Sequence, residues 1–128
     1  MIVITGGAGF IGSNLVAALV SRGRGDIAVC DRMGESEKWR NLEKSAIGEV
    51  IAPEDLIAFL EARRGDIEAV VHMGAVSSTT ETDTELLRRE NLTFPRALWH
   101  WCAVDGVRLI YASSAATYGD GAAGFDDD

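Results

Sequence analysis

Residues 1–14 read MIVITGGAGFIGSN. Ile2 to Thr5 form a short, β-branched run, the pattern of a strand buried on both faces. Gly6, Gly9 and Gly12 follow at even spacing, and then Ile11, Leu15, Leu19 and the neighbouring Val16 and Val20 recur with helical period. Gly6 permits a tight exit from the strand, Gly9 lets the main chain approach a diphosphate with no side chain between, and Gly12 allows close helix-to-strand packing. The helix beginning near Phe10 would turn its unpaired N–H groups, and the positive end of its dipole, toward those phosphates.

Context strengthens this reading. The first helix closes at Gly23 and Gly25, and residues 26–31 (DIAVCD) read as a second strand. Asp31 ends it, 19 residues after Gly12, where an acidic residue meets the ribose of a bound adenosine. A strand, a glycine turn, a helix and an acid in that order define a dinucleotide site. Asp31 alone favours NAD, because its carboxylate accepts from a 2′-hydroxyl and repels a 2′-phosphate. Arg32 and Lys38 stand close by, and either is able to hold a phosphate, so composition leaves the choice between NAD and NADP open.

Residues 35–45 are polar and read as loop with a short helical turn, followed by a third strand near 46–51. Pro53 suits the first position of a helix, with Glu54 and Asp55 at the positive end of its dipole, Leu56, Ile57 and Leu60 as its apolar stripe and Gly65 as its end. A fourth strand over 68–73 runs into Gly74. A long helix from about 83 to 104 would set Leu86, Leu87, Ala97, Leu98 and Trp101 against a sheet, with a kink or break where Pro95 releases the carbonyl of Asn91. Val107 to Ala112 make a fifth strand. Strands alternating with helices imply an α/β domain over residues 1–128, a doubly wound parallel sheet of order 3-2-1-4-5. Its ligand crevice would lie at the carboxyl ends of strands 1 and 4.

Composition narrows the partners. With 47% hydrophobic and 25% charged residues the chain reads as an ordinary soluble globular protein, and a net charge of −8 argues against binding nucleic acid. No apolar stretch approaches the roughly 20 residues needed to cross a bilayer, so no membrane partner is expected and the cytoplasm is the default location. Cys30 and Cys102 have no C-x-x-C spacing and no adjacent His cluster, and read as buried free thiols with no metal site. His72 reads as packed at a strand end, and His100 as a helix-surface residue.

Two downstream stretches carry further chemistry. HMGAVSSTTETD, residues 72–83, leaves strand 4 through Gly74 and Ala75, whose small size would let a nicotinamide ribose lie against the main chain. The hydroxyls of Ser77, Ser78, Thr79 and Thr80 offer bonds to cofactor or sugar, or cap the next helix. YASSAATYG, residues 111–119, places Ser114 at the exit of strand 5, within reach of the same crevice.

TGGAGFIGSN, together with these two stretches, resembles the extended branch of the short-chain dehydrogenase/reductase superfamily, the NAD-dependent epimerases and dehydratases of sugar nucleotides. Within that branch the residues from Met1 to about Gly119 are similar to the epimerases of an ADP-activated heptose, which serve lipopolysaccharide biosynthesis. The resemblance implies NADP as cofactor, contacted by Phe10 and Ile11, by Asp31 and Arg32, by Lys38 and by Met73, Gly74, Ala75, Val76 and Ser77. It implies a small-molecule sugar-nucleotide substrate near Ser78 and Thr79, Ser114 as the catalytic hydroxyl that holds the reacting sugar oxygen, and a ring of identical subunits. The implied reaction is transient oxidation and re-reduction at carbon 6. Two departures stand out: Glu90 and Asn91 occupy the place of two successive asparagines, leaving Asn91 as the retained contact, and Pro53 stands where a lysine is usual.

The superfamily's proton-transfer pair is Y-x-x-x-K, a tyrosine whose pKa is lowered by a lysine one helical turn away. Four residues after Tyr111 is Ala115, and four after Tyr118 is Ala122, so neither tyrosine qualifies. The expectation is that these residues are the N-terminal part of a longer enzyme and that the 128-residue piece is inactive alone. Another sugar-nucleotide epimerase or dehydratase, or a non-catalytic NADP(H)-binding module, remain as alternatives.

Overall fold

A computed structural model describes residues 1–34, 37–43, 45, 47–76 and 82–126, apart from the surroundings of the Ala115 side chain. Five strands form one parallel sheet in the order β3-β2-β1-β4-β5, as the alternation predicts. They are β1 (Ile2–Thr5), β2 (Ile27–Cys30), β3 (Glu49–Ile51), β4 (Ala69–His72) and β5 (Arg108–Tyr111). The third strand is shorter than 46–51: Gly48 donates to the Ile27 carbonyl at 2.8 Å, and regular pairing with β2 begins at Glu49.

Alternation along the strands divides the core into two layers. Ile2, Ile4, Ile27, Val29 and Val71 face α1 (Phe10–Ser21), which contributes Val16 with Leu15, Leu19 and Val20 packed around it. Val3, Ala28, Cys30, Ile51 and Val70 face the other way, toward Leu56 and Leu60 of α2 (Leu56–Ala62) and Leu98, Trp101 and Cys102 of α4 (Phe94–Asp105). Ile11 is not part of the α1 stripe; it is 64% exposed at the helix start. Ala97, expected against the sheet, is also exposed, because α4 turns Leu98 and Trp101 inward.

Pro53 opens a 3₁₀ turn, Pro53–Asp55, that leads into α2. The long helix is interrupted as Pro95 requires: α3 (Thr84–Arg88) runs into a π turn, Arg89–Thr93, and then into α4. The proline has no N–H for the carbonyl of Asn91, and the wider turn relieves the ring clash by letting the Phe94 N–H reach Arg89. Asp83 caps α3, accepting from the N–H groups of Glu85 and Leu86 at 3.0 Å each. Cys30 and Cys102 are buried and unpaired as disulfides, and burial pushes their thiols up to about 12 and about 11. Among the described residues no helix is long and apolar enough to cross a membrane.

Candidate functional site

Sheet register builds the site. Thr5 is level with Cys30 on one side and His72 on the other, so Gly6, Asp31 and Met73 leave the sheet side by side at its carboxyl edge. Chain direction across the sheet reverses between β1 and β4, which opens a crevice there. It measures about 540 Å³.

The floor is the glycine turn. Gly6 has φ +65°, and a Cβ on it would lie 2.7 Å from the Gly74 nitrogen. A Cβ on Gly12 would lie 2.1 Å from the Gly6 carbonyl oxygen, so α1 rests directly on the turn. Gly9 is the N-cap of α1, which has neither a side-chain cap nor an acidic residue in its first turn. The positive end of a 12-residue helix therefore opens into the crevice with no side-chain cap and no acid of its own first turn upon it, which suits an anionic diphosphate. Phe10, 85% exposed, and Ile11 form its lip.

At one end lies Asp31, its side chain only 8% exposed. Its Oδ2 accepts from the Ala8 N–H at 2.9 Å, and its Oδ1 is 3.5 Å from Lys38 Nζ. Asn41 donates to the Ala8 carbonyl at 2.8 Å, so both main-chain groups of Ala8 are held by side chains. Arg32 donates from its two terminal nitrogens to Glu54 (3.2 Å) and Glu90 (3.0 Å), and Arg89 donates to the same Glu90 oxygen at 2.9 Å. Burial alone would raise the Glu90 carboxyl, but the hydrogen bonds from Arg89 and Arg32 together outweigh it and hold the group below its ordinary value.

The other wall is the segment after β4. Met73, Gly74, Ala75 and Val76 line the crevice. Thr5 Oγ1 accepts from the Gly74 N–H at 3.1 Å and lies 2.6 Å from His72 Nδ1. The hydroxyl and the ring nitrogen share a hydrogen bond, which a neutral imidazole makes in either sense. Burial lowers the His72 pKa, in keeping with that state. Asn91 is bonded to both main-chain groups of Val76, accepting at 2.8 Å and donating at 2.9 Å. It does not line the crevice and acts on it by fixing Val76.

Of the other predicted residues, Ser77, Ser78 and Thr79 lie outside the described residues. Ser114 is exposed after β5, where its hydroxyl accepts from the Ala116 N–H at 3.2 Å and caps a 3₁₀ turn, Ala115–Tyr118; it is not among the residues lining the crevice. Thr5, Glu90, Phe94 and Asn41 are additions to the predicted set. A separate groove of about 570 Å³ runs along the outer side of the interrupted helix, between Arg88, Arg96, Trp99 and His100.

A glycine turn under an uncapped helix, facing an acid at the end of the second strand, is the nucleotide-binding arrangement of a doubly wound fold. The chain belongs to the NAD dependent epimerase/dehydratase family, whose model matches residues 2–128. The particular relatives it is similar to are ADP-L-glycero-D-manno-heptose-6-epimerases. That of Alkalilimnicola ehrlichii is 49% identical over 121 residues, covering 93% of this chain and 38% of the relative. The crystal structure of the Helicobacter pylori enzyme of that name superposes with a TM-score of 0.74 at 36% identity, covering 93% of this chain and 40% of that one. The Thermus thermophilus UDP-glucose 4-epimerase, solved with NAD, gives a TM-score of 0.71 at 30% identity over 88% of this chain and 37% of its own. The chain thus spans about two-fifths of the length of the relatives it matches.

Proposed function

We propose that this chain supplies the nicotinamide dinucleotide site of a sugar-nucleotide epimerase whose substrate is ADP-D-glycero-D-manno-heptose, inverted at carbon 6 to ADP-L-glycero-D-manno-heptose. The observation that carries the cofactor reading is the uncapped N-terminus of α1 opening on a crevice bounded by Asp31 and by Gly74–Val76. Family membership and the names of the relatives support the substrate. The likeness to heptose epimerases favours NADP, for which Arg32 and Lys38 are the cations at the adenosine end. On this reading the enzyme works in the cytoplasm as an assembly of identical subunits, on a small molecule and on neither nucleic acid nor membrane.

The chemistry supplied by the dinucleotide when bound is hydride acceptance and return at carbon 6. The first-turn amides of α1 bind the diphosphate, and Gly6 and Gly9 keep side chains out of its way. Asp31 keeps lone pairs for the ribose hydroxyls while bonded to Ala8. Thr5 and Asn91 hold Gly74 and Val76 as a rigid wall against which the nicotinamide end is oriented. Ser114 would hold the reacting sugar oxygen, and a tyrosine–lysine pair contributed from elsewhere would carry the proton.

Titration with NADH and NADPH, followed by nicotinamide fluorescence, tests the cofactor site. Incubating the gene's full product with the ADP-heptose and with UDP-glucose tests the substrate. Saturable binding and conversion of the heptose are expected. Conversion of UDP-glucose alone would replace the substrate, binding without any conversion would leave a binding module, and no binding at all would refute the reading.

A further inference from the structure

We propose that Glu54 and Glu90 set the preference at the cofactor's adenosine 2′ position, by holding Arg32 away from a 2′-phosphate. The inference rests on the dinucleotide reading above and sets against its NADP preference two residues of this chain that weaken it. Among the described residues lining the crevice the cations are Arg32 and Lys38. Neither is unencumbered: Lys38 lies beside Asp31, and Arg32 spends a terminal nitrogen on each of two carboxylates. These carboxylates come from separate elements, Glu54 from the turn opened by Pro53 and Glu90 from the π turn that precedes Pro95.

A 2′-phosphate is best bound by an arginine fork offering two parallel N–H groups to it. Here the fork points at Glu54 and Glu90, so a phosphate must displace one carboxylate and then sit beside both. Glu90 is the stronger competitor. Its side chain is 15% exposed, against 62% for Glu54, and a second arginine fixes it in place. A 2′-hydroxyl asks nothing of Arg32 and is served by Asp31, so the two acids penalise the phosphate selectively.

The test is the ratio of NADH to NADPH dissociation constants, read from nicotinamide fluorescence at one fixed low salt concentration, for the wild type, E54Q and E90Q. Both amides keep the shape and remove the charge. The ratio should move toward NADPH by about fivefold in E54Q and about tenfold in E90Q. Ratios within about twofold of wild type in both variants, with both nucleotides still bound, would overturn this inference and leave the cofactor site standing. Failure of the wild type to bind either nucleotide would remove the site itself and the inference with it. E54Q, at the more exposed of the two acids and outside the π turn, keeps the test decisive if E90Q disturbs that turn.

Discussion

Gly12→Ala is the perturbation whose cost follows most directly from the geometry. The new methyl carbon would lie 2.1 Å from the Gly6 carbonyl oxygen, 2.7 Å from the Gly7 Cα and 2.8 Å from the Gly6 carbonyl carbon. All three are main-chain atoms, so no side chain is available to rotate away, and α1 must retreat from the turn by about 1 Å before the contact is tolerable. Overpacking of this kind costs about 1–3 kcal/mol, and the absence of a yielding neighbour puts this case near 3. With a urea slope of about 1–3 kcal/mol per M, the unfolding midpoint should fall by about 1 M or more. Gly25→Ala is the control: a Cβ there meets nothing within 4 Å, and the change should stay within about 0.5 kcal/mol. Urea titrations of both variants, with NADPH titrations of the folded proteins, read stability and affinity separately. A G12A midpoint equal to that of G25A would refute the claim that α1 rests on the glycine turn.

Thr5→Val removes the acceptor of the Gly74 N–H and the hydroxyl partner of His72 at a side chain 1% exposed, and should cost about 1–3 kcal/mol in chemical denaturation while loosening the Gly74–Val76 wall. His72 gives a pH signature. Its folded pKa lies below the unfolded value of about 6.5, so the unfolded chain takes up a proton first as pH falls. The stability due to neutral His72 is present above about pH 6.5 and is lost below it, down to the folded value, so wild type should lose ground to H72Q across that window. Parallel stability curves for the two proteins would show that His72 is not held neutral by the fold.

The sheet order and the glycine turn are legible in the sequence because they rest on local chemistry. Ile2 to Thr5, the three glycines and Asp31 each announce a conformation within a few residues, and Pro95 marks the helix interruption by the N–H it lacks. Less legible is anything decided by distant partners. Arg32 and Lys38 each read as able to hold a phosphate, and nothing local shows that Arg32 is engaged by Glu54, 22 residues on, and by Glu90, 58 residues on. The Thr5–His72 pair spans 67 positions, and Asn41 reaches back 33 to Ala8 from a polar stretch with no distinguishing pattern. Period alone places Ala97 on the sheet. The π turn spends one extra residue per turn and shifts the face that follows, which periodicity across a proline does not anticipate.

Backbone amide resonances followed during a titration with NADPH address the diphosphate grip itself. Shifts concentrated at residues 6–12, with a second set at 73–76, are the predicted result. Saturation that leaves residues 6–12 unmoved, or that shifts instead the outer groove around Arg96 and Trp99, would contradict the account at its root.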